Sequence, residues 1–162
     1  MSDPALFLDC DGVLADFDAG ARALLGTDPA TFEKRHGKGE FWRRLARAPD
    51  FYATLPKLAD ADLLFEGVRH LRPVILTGLP IGKWAAPQKV RWAAAHFPGV
   101  PIITCMARDK HRHMRGADVL VDDRLSHKAA WEEAGGVYIV HRSARESLAA
   151  LAEIFSGVKR PA

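Results

Sequence analysis

The sequence predicts an α/β domain built on a parallel sheet, and three observations lead there. Apolar runs at residues 5–8, 74–76, 102–104, 119–121 and 137–140 are continuous rather than alternating, as befits strands covered on both faces. Helix-like stretches separate the later runs, and alternation of strand with helix is the pattern of a parallel sheet. Three runs end in Asp9, in Thr77-Gly78 and in Asp122-Asp123, and open parallel sheets bind ligands at the carboxyl ends of their strands.

The first run leads straight into "DCDGVLADFD", which carries Asp9, Asp11, Asp16 and Asp18. Neighbouring carboxylates repel, so a bound cation or water must offset them. Asp9 and Asp11 are two apart and point to the same side of an extended chain, and Gly12 allows a sharp turn close to a ligand. Asp16 and Asp18 read as solvated or helix N-terminal residues, where negative charge suits the local dipole. Residues 19–72 break the rhythm. They are basic in the middle ("EKRHGKGEFWRRLAR") and show no clear strand, so two to four short helices are expected there, inserted after the first strand. The basic run 34–47 reads as a solvated helix face, because a polynucleotide needs a broader track of positive charge.

The second run ends at Thr77-Gly78. A helix follows over 83–97, with Pro87 near its start. The third run precedes "ARDKHRH", where Lys110 can bring a positive charge to the crevice; Lys89, on the preceding helix, is its rival. His111, His113 and His127 read as solvated. The fourth run ends at Asp122-Asp123. Helices are expected over 126–134, closed by Gly135 and Gly136, and over 144–155, on either side of the fifth run, with a frayed tail at "VKRPA".

Composition narrows the class. The 162 residues suit one domain with a small insertion, and 48% hydrophobic content supplies a core. Cys10 and Cys105 are too few for a disulfide framework, show no zinc spacing and read as small apolar residues. With no secretion signal and no long apolar span, the expectation is a soluble cytoplasmic protein with no membrane and no nucleic-acid partner. The net charge of +3 is mild. Carboxylates gathered at strand ends suit a hard divalent cation with oxygen ligands, Mg²⁺ above all.

The motifs then point to a family. "DCDGVLAD", "VILTG", Lys110 and "DVLVDD" resemble, in order, the four motifs of the haloacid dehalogenase superfamily of phosphohydrolases. Within it, "DGVLADF", "GEFW", "ILTGLPI", "ARDK" and "ADVLVDDR" are similar to the 5′(3′)-deoxyribonucleotidases, although Gly78 stands where those enzymes usually carry a second hydroxyl residue, and the cap is short. The resemblance implies a Rossmann-like three-layer α/β/α core, residues 1–18 and 73–162, with a helical cap at 19–72. It implies that Asp9 attacks phosphorus and that Asp11 serves as acid and then base. Mg²⁺ would be held by Asp9, the Asp11 carbonyl and the aspartate pair, with Asp123 direct and Asp122 through water. Thr77, the Gly78 N–H and Lys110 would bind phosphoryl oxygens. Phe17, Phe41 and Trp42 would form a nucleobase slot, or only the cap's own core. The expected substrate is a nucleoside monophosphate. The alternatives are a phosphatase for a sugar phosphate or a polynucleotide end, and a non-catalytic module of the same fold.

Overall fold

The computed structural model describes residues 3–162. Five parallel strands form one sheet: β1 (Leu6–Leu8), β2 (Val74–Leu79), β3 (Ile102–Met106), β4 (Val119–Asp122) and β5 (Val137–Val140). They lie in the order β3-β2-β1-β4-β5. β1 is the centre, paired with β2 through Phe7 and Val74 and with β4 through Phe7 and Leu120. The chain builds outward to one side through β2 and β3, then returns past β1 to add β4 and β5. The reversal leaves a crevice above the ends of β1 and β4, the switch point at which such sheets take their ligands.

Among the described residues, seven α-helices accompany the sheet: α1 (Phe17–Leu25), α2 (Pro29–His36), α3 (Lys38–Arg47), α4 (Ala61–Val68), α5 (Ala85–His96), α6 (Lys128–Glu133) and α7 (Ala144–Ala152). Short 3₁₀ turns run over Arg69–Leu71, Ala107–His113 and Leu125–His127. Strand periodicity sorts the core into two layers. Leu6, Leu8, Ile75, Val119 and Val121 face a large cluster containing Leu64 and Phe65 of α4, Trp92 of α5 and Leu148 of α7. Phe7, Leu76 and Leu120 face the other way, onto Met114, Trp131 of α6 and Tyr138. Both faces are covered, which is why the runs carry no polar alternation and why the three-layer α/β/α arrangement holds.

Helices α1 to α3 lie in the segment inserted between β1 and α4. Asp16 caps α1 by accepting the Ala19 N–H at 3.0 Å, and Asp18 pairs with Arg22. Asp28 does the same for α2, whose first residue is Pro29, a position where a missing N–H costs nothing. The segments entering and leaving the cap are stitched together. Asp16 N–H donates to Pro56 O at 2.8 Å, Leu58 N–H donates to Leu14 O at 2.9 Å, and Ala15 bridges Lys57.

Helix α4 was expected within the cap but packs in the layer below the sheet. A side chain at Gly67 would collide with Leu148 of α7, and Asp60 accepts the Ala144 N–H at the start of α7. An apolar helix buries itself wherever the sheet offers a face, and the sequence does not say which face that is. We therefore propose a cap of residues 17–55, shorter than 19–72. The C-terminal tail is also docked rather than frayed: Lys159 N–H donates to Gly67 O, and Val158 packs on the core.

Candidate active site

The floor of the crevice is made of strand ends. Asp9 follows β1 directly and is buried, its N–H held by Val121 O of β4. Asp11 lies within a bend whose N–H groups at residues 13, 14 and 15 all turn onto Cys10 O. Asp122 closes β4 and is fully buried. Asp9, Asp122 and Asp123 offer carboxylate oxygens within 4.8 Å of one another. Gly12 makes this approach possible. Its φ of +83° is in the left-handed region, and a Cβ there would sit 2.1 Å from Asp123 Oδ2, so any other residue would push that carboxylate out of the cluster.

Two buried lysines meet these carboxylates. Lys110 lies in the 3₁₀ turn after β3, and its Nζ donates to Asp9 Oδ1 at 2.9 Å and to Asp122 Oδ2 at 2.8 Å. Lys89 projects from α5 and donates to Asp11 Oδ2 at 2.6 Å, Thr77 Oγ1 at 2.9 Å and Gly78 O at 2.8 Å. The rivals for one place thus occupy two. Both oxygens of Asp122 are engaged, because its Oδ1 accepts the Arg124 N–H at 2.9 Å. Asp123, which lies more open, has no such tie to a lysine.

Charge balance on this floor is tight. Burial pushes the Asp9 carboxyl up; Lys110 opposes this, while Asp122, Asp11 and Asp123 add to it, and the result is about 8. Burial and the charge of Asp122 raise Asp123 as well. Burial pulls Lys110 down, but Asp9 and Asp122 outweigh it and hold the ammonium charged. One lysine cannot neutralise three close carboxylates, so the cluster has room for another cation.

Above the floor lies a cavity of about 500 Å³, within the range of small-molecule sites. Asp9, Asp11, Gly12, Gly78, Lys110, Asp122 and Asp123 line it, together with Phe17, Phe41 and Trp42 from the cap. All but one of the residues assigned to the site from sequence thus meet at one cavity. The exception is Thr77, which is fully buried with its hydroxyl behind the lining, in contact with Lys89. Gly78 is part of β2, paired with Cys105, and a Cβ on it would lie 2.9 Å from that of Ala107. A side chain at this position would have to displace Ala107.

The aromatic wall lines the cavity and is also part of the core. Phe17 sits 6.4 Å from Phe41, 6.3 Å from Trp42 and 5.5 Å from Phe51, ring centre to ring centre. Phe41 is almost wholly buried, while Phe17 and Trp42 are half-buried. Sequence reasoning missed Tyr52, Arg124 and His127, which also line the cavity. His127 was expected in solvent. Arg124 had a signal, directly after the aspartate pair; Tyr52 had none.

Residues 24–146 match the family model described as "5′ nucleotidase, deoxy (Pyrimidine), cytosolic type C protein". The chain belongs to this nucleotidase family. It is a phosphohydrolase of the haloacid dehalogenase superfamily. The matched stretch takes in Thr77, Lys110 and the aspartate pair but begins beyond Asp9 and Asp11. Solved structures agree on the fold of the nucleotidase chain. A haloacid dehalogenase family hydrolase from Deinococcus radiodurans R1, solved with bound phosphate and sodium, is similar at 17% identity and a TM-score of 0.58, covering 99% of each chain. A hydrolase from Streptococcus pneumoniae TIGR4 gives 14% and 0.56, over 94% of this chain and 100% of that one. The L-2-haloacid dehalogenase of Xanthobacter autotrophicus gives 16% and 0.57, over 96% and 84%. No curated protein matches the sequence significantly. Among the described residues, no helix is long and apolar enough to cross a membrane.

Proposed function

We propose that the protein is a Mg²⁺-dependent 5′(3′)-deoxyribonucleotidase that releases phosphate from nucleoside monophosphates in the cytoplasm. The observation that carries the reading is the juxtaposition on one cavity: a lysine-braced carboxylate at the switch point of the sheet below, and a wall of aromatic rings above. The donor set fits the metal. It consists of oxygens alone, the carboxylates of Asp9 and Asp123 with Asp122 beside them already engaged by Lys110 and Arg124, and, as the family resemblance implies, the Asp11 carbonyl; hard cations prefer such ligands. Bound there, Mg²⁺ would neutralise charge on the phosphoryl oxygens.

The chain's own residues supply the rest. Asp9, fixed by the Val121 carbonyl through its backbone and by Lys110 through its side chain, attacks phosphorus and forms an aspartyl-phosphate. Asp11 gives a proton to the departing ester oxygen, then takes one from the water that hydrolyses the intermediate. Lys110 and the Gly78 backbone stabilise charge on the transferring group, and little more is needed, since phosphoryl transfer is mainly positioning and electrostatics. The Thr77 hydroxyl accepts from Lys89 and so keeps its hydrogen to donate. Phe17 and Trp42, the half-exposed rings, stack the base. Rings tolerate any base, so the substrate class follows from the wall rather than from base-edge contacts.

The deciding experiment is a panel of nucleoside monophosphates against sugar phosphates, assayed with Mg²⁺ and with a strong chelator. The expectation is turnover that needs the metal and prefers nucleotides. Preference for sugar phosphates would retain the chemistry and overturn the substrate.

A further inference from the structure

Lys89 is the feature the proposed reaction does not use. It is 2% exposed, on a helix face shared with Ala85, Trp92 and Ala93. A buried ammonium is costly unless every N–H finds a partner, and a Leu or Met would serve packing alone. Here all three N–H groups are engaged, on Asp11, Thr77 and Gly78. The Nζ also lies 4.4 Å from the centre of the Tyr52 ring. Gln88, next to it on α5, accepts the Tyr52 N–H at 2.8 Å, and Trp92 donates to Leu55 O at 2.8 Å. The helix thus holds the cap's exit segment and the lysine in fixed relation.

Lys89 does not line the cavity and does not touch Asp9 or Asp122. It can act only through what it holds. Asp11 has two carboxylate oxygens: Oδ2 is bound to Lys89, and Oδ1 is buried without a hydrogen-bond partner. Fixing one oxygen fixes the plane of the carboxyl group, so that a single oxygen is left for proton exchange.

We propose that Lys89 is the positioning residue of the proton donor: it clamps Asp11 by Oδ2 so that Oδ1 exchanges the proton with the leaving group. This rests on the acid and base role given to Asp11 above. In the first step an Asp9 oxygen bonds to phosphorus while the bond from phosphorus to the leaving oxygen breaks. The electron pair stays on that oxygen, which takes the proton from Asp11 Oδ1. In the second, water bonds to phosphorus, its proton passes to Asp11 Oδ1, and the bond to Asp9 breaks. Lys89 neither gains nor loses a proton in either step. The two lysines then divide the work, Lys110 serving the nucleophile and the phosphoryl group, Lys89 the leaving group.

The test is leaving-group dependence. The wild type, Lys89→Met, Lys110→Met, Asp11→Asn and the double variant Asp11→Asn/Lys89→Met are assayed on phosphomonoesters running from p-nitrophenyl phosphate, whose leaving group needs no proton, to simple alkyl phosphates, which do. Lys89→Met should lose about 10- to 100-fold on alkyl esters, part of the range general acid catalysis supplies, and less than about threefold on the nitrophenyl ester. Lys110→Met should lose rate across the series. The double variant should be no slower than Asp11→Asn, because groups acting as a unit are not additive. An even loss for Lys89→Met across leaving groups with an unchanged melting temperature would overturn the proposal, as would a further loss in the double variant. If Lys89→Met does not fold, the double variant, which leaves no unpaired charge at this place, still gives the comparison with Asp11→Asn: equal profiles support the proposal and a further loss overturns it. A wild type that hydrolyses none of these esters would refute the reading of the site itself, and the role of Lys89 with it.

Discussion

The floor and the wall of the cavity are built on different principles. On the floor three of the four carboxylates are fixed by named partners: Asp9 by Val121 O and Lys110, Asp122 by Lys110 and the Arg124 N–H, Asp11 by Lys89. On the wall, Phe17, Phe41 and Trp42 hold one another by ring packing alone. Directional bonds fix atoms to within tenths of an ångström, whereas apolar packing fixes volume and tolerates exchange. On the proposed reading chemistry belongs to the floor and substrate choice to the wall, and changes to each should fail differently.

The largest effect should come from the floor. Asp9→Asn should reduce turnover to background on every phosphomonoester, because an amide does not attack phosphorus at a useful rate. The fold should survive, since the variant removes a buried charge rather than a packing group. Residual activity above a control for deamidation would remove Asp9 as nucleophile. On the wall, Trp42→Ala should cost nucleotides about 1–3 kcal/mol, by analogy with stacking of bases on rings, with little change for small aryl or alkyl phosphates. If kcat/KM falls equally for all of them in a folded variant, the wall closes the site without reading a base, and the comparison breaks.

A smaller effect sharpens the account of the floor. Without metal, folded Asp9 titrates near 8 instead of about 4 when unfolded, and Asp123 shifts the same way. Between those pH values the native state keeps protons that the unfolded chain has released, so the metal-free protein should lose stability as pH rises through the window. Mg²⁺ binds the ionised form. Its stabilising effect should therefore be several degrees in melting temperature at pH 8 and near zero at pH 5, read against a chelator control. A Mg²⁺ shift that is equal at the two values, or larger at pH 5, would exclude this cluster as the metal site.

Much of this was legible in the chain. The five strands were visible because each is an unbroken apolar run, and their polar ends marked the crevice. Strands β2 and β3 extend past the runs because Thr77, Gly78 and Leu79 pair with Thr104, Cys105 and Met106, a long-range pairing that no local pattern encodes. Lys89 read only as a rival for the place of Lys110, not as a second buried lysine, for a similar reason. Its partners lie 78, 12 and 11 residues away, and only the fold brings them together. Helix α4 was visible as apolar but not as belonging beneath the sheet. Tyr52 carried no signal, because its place depends on Gln88 and Trp92 holding the segment after the cap.

The stitching of residues 14–16 to residues 56–58 has an evolutionary consequence. The two chain crossings into and out of the insert lie side by side, at the spacing of paired strands, about 5 Å. Any insert whose ends meet at that distance can be hung there without moving Asp9, Asp11 or the sheet. Domain insertion is tolerated where termini lie close together at a surface. The catalytic floor can thus be inherited intact while the roof is lengthened, shortened or exchanged, and descendants of one ancestral hydrolase can part company in substrate by trading a single segment of chain.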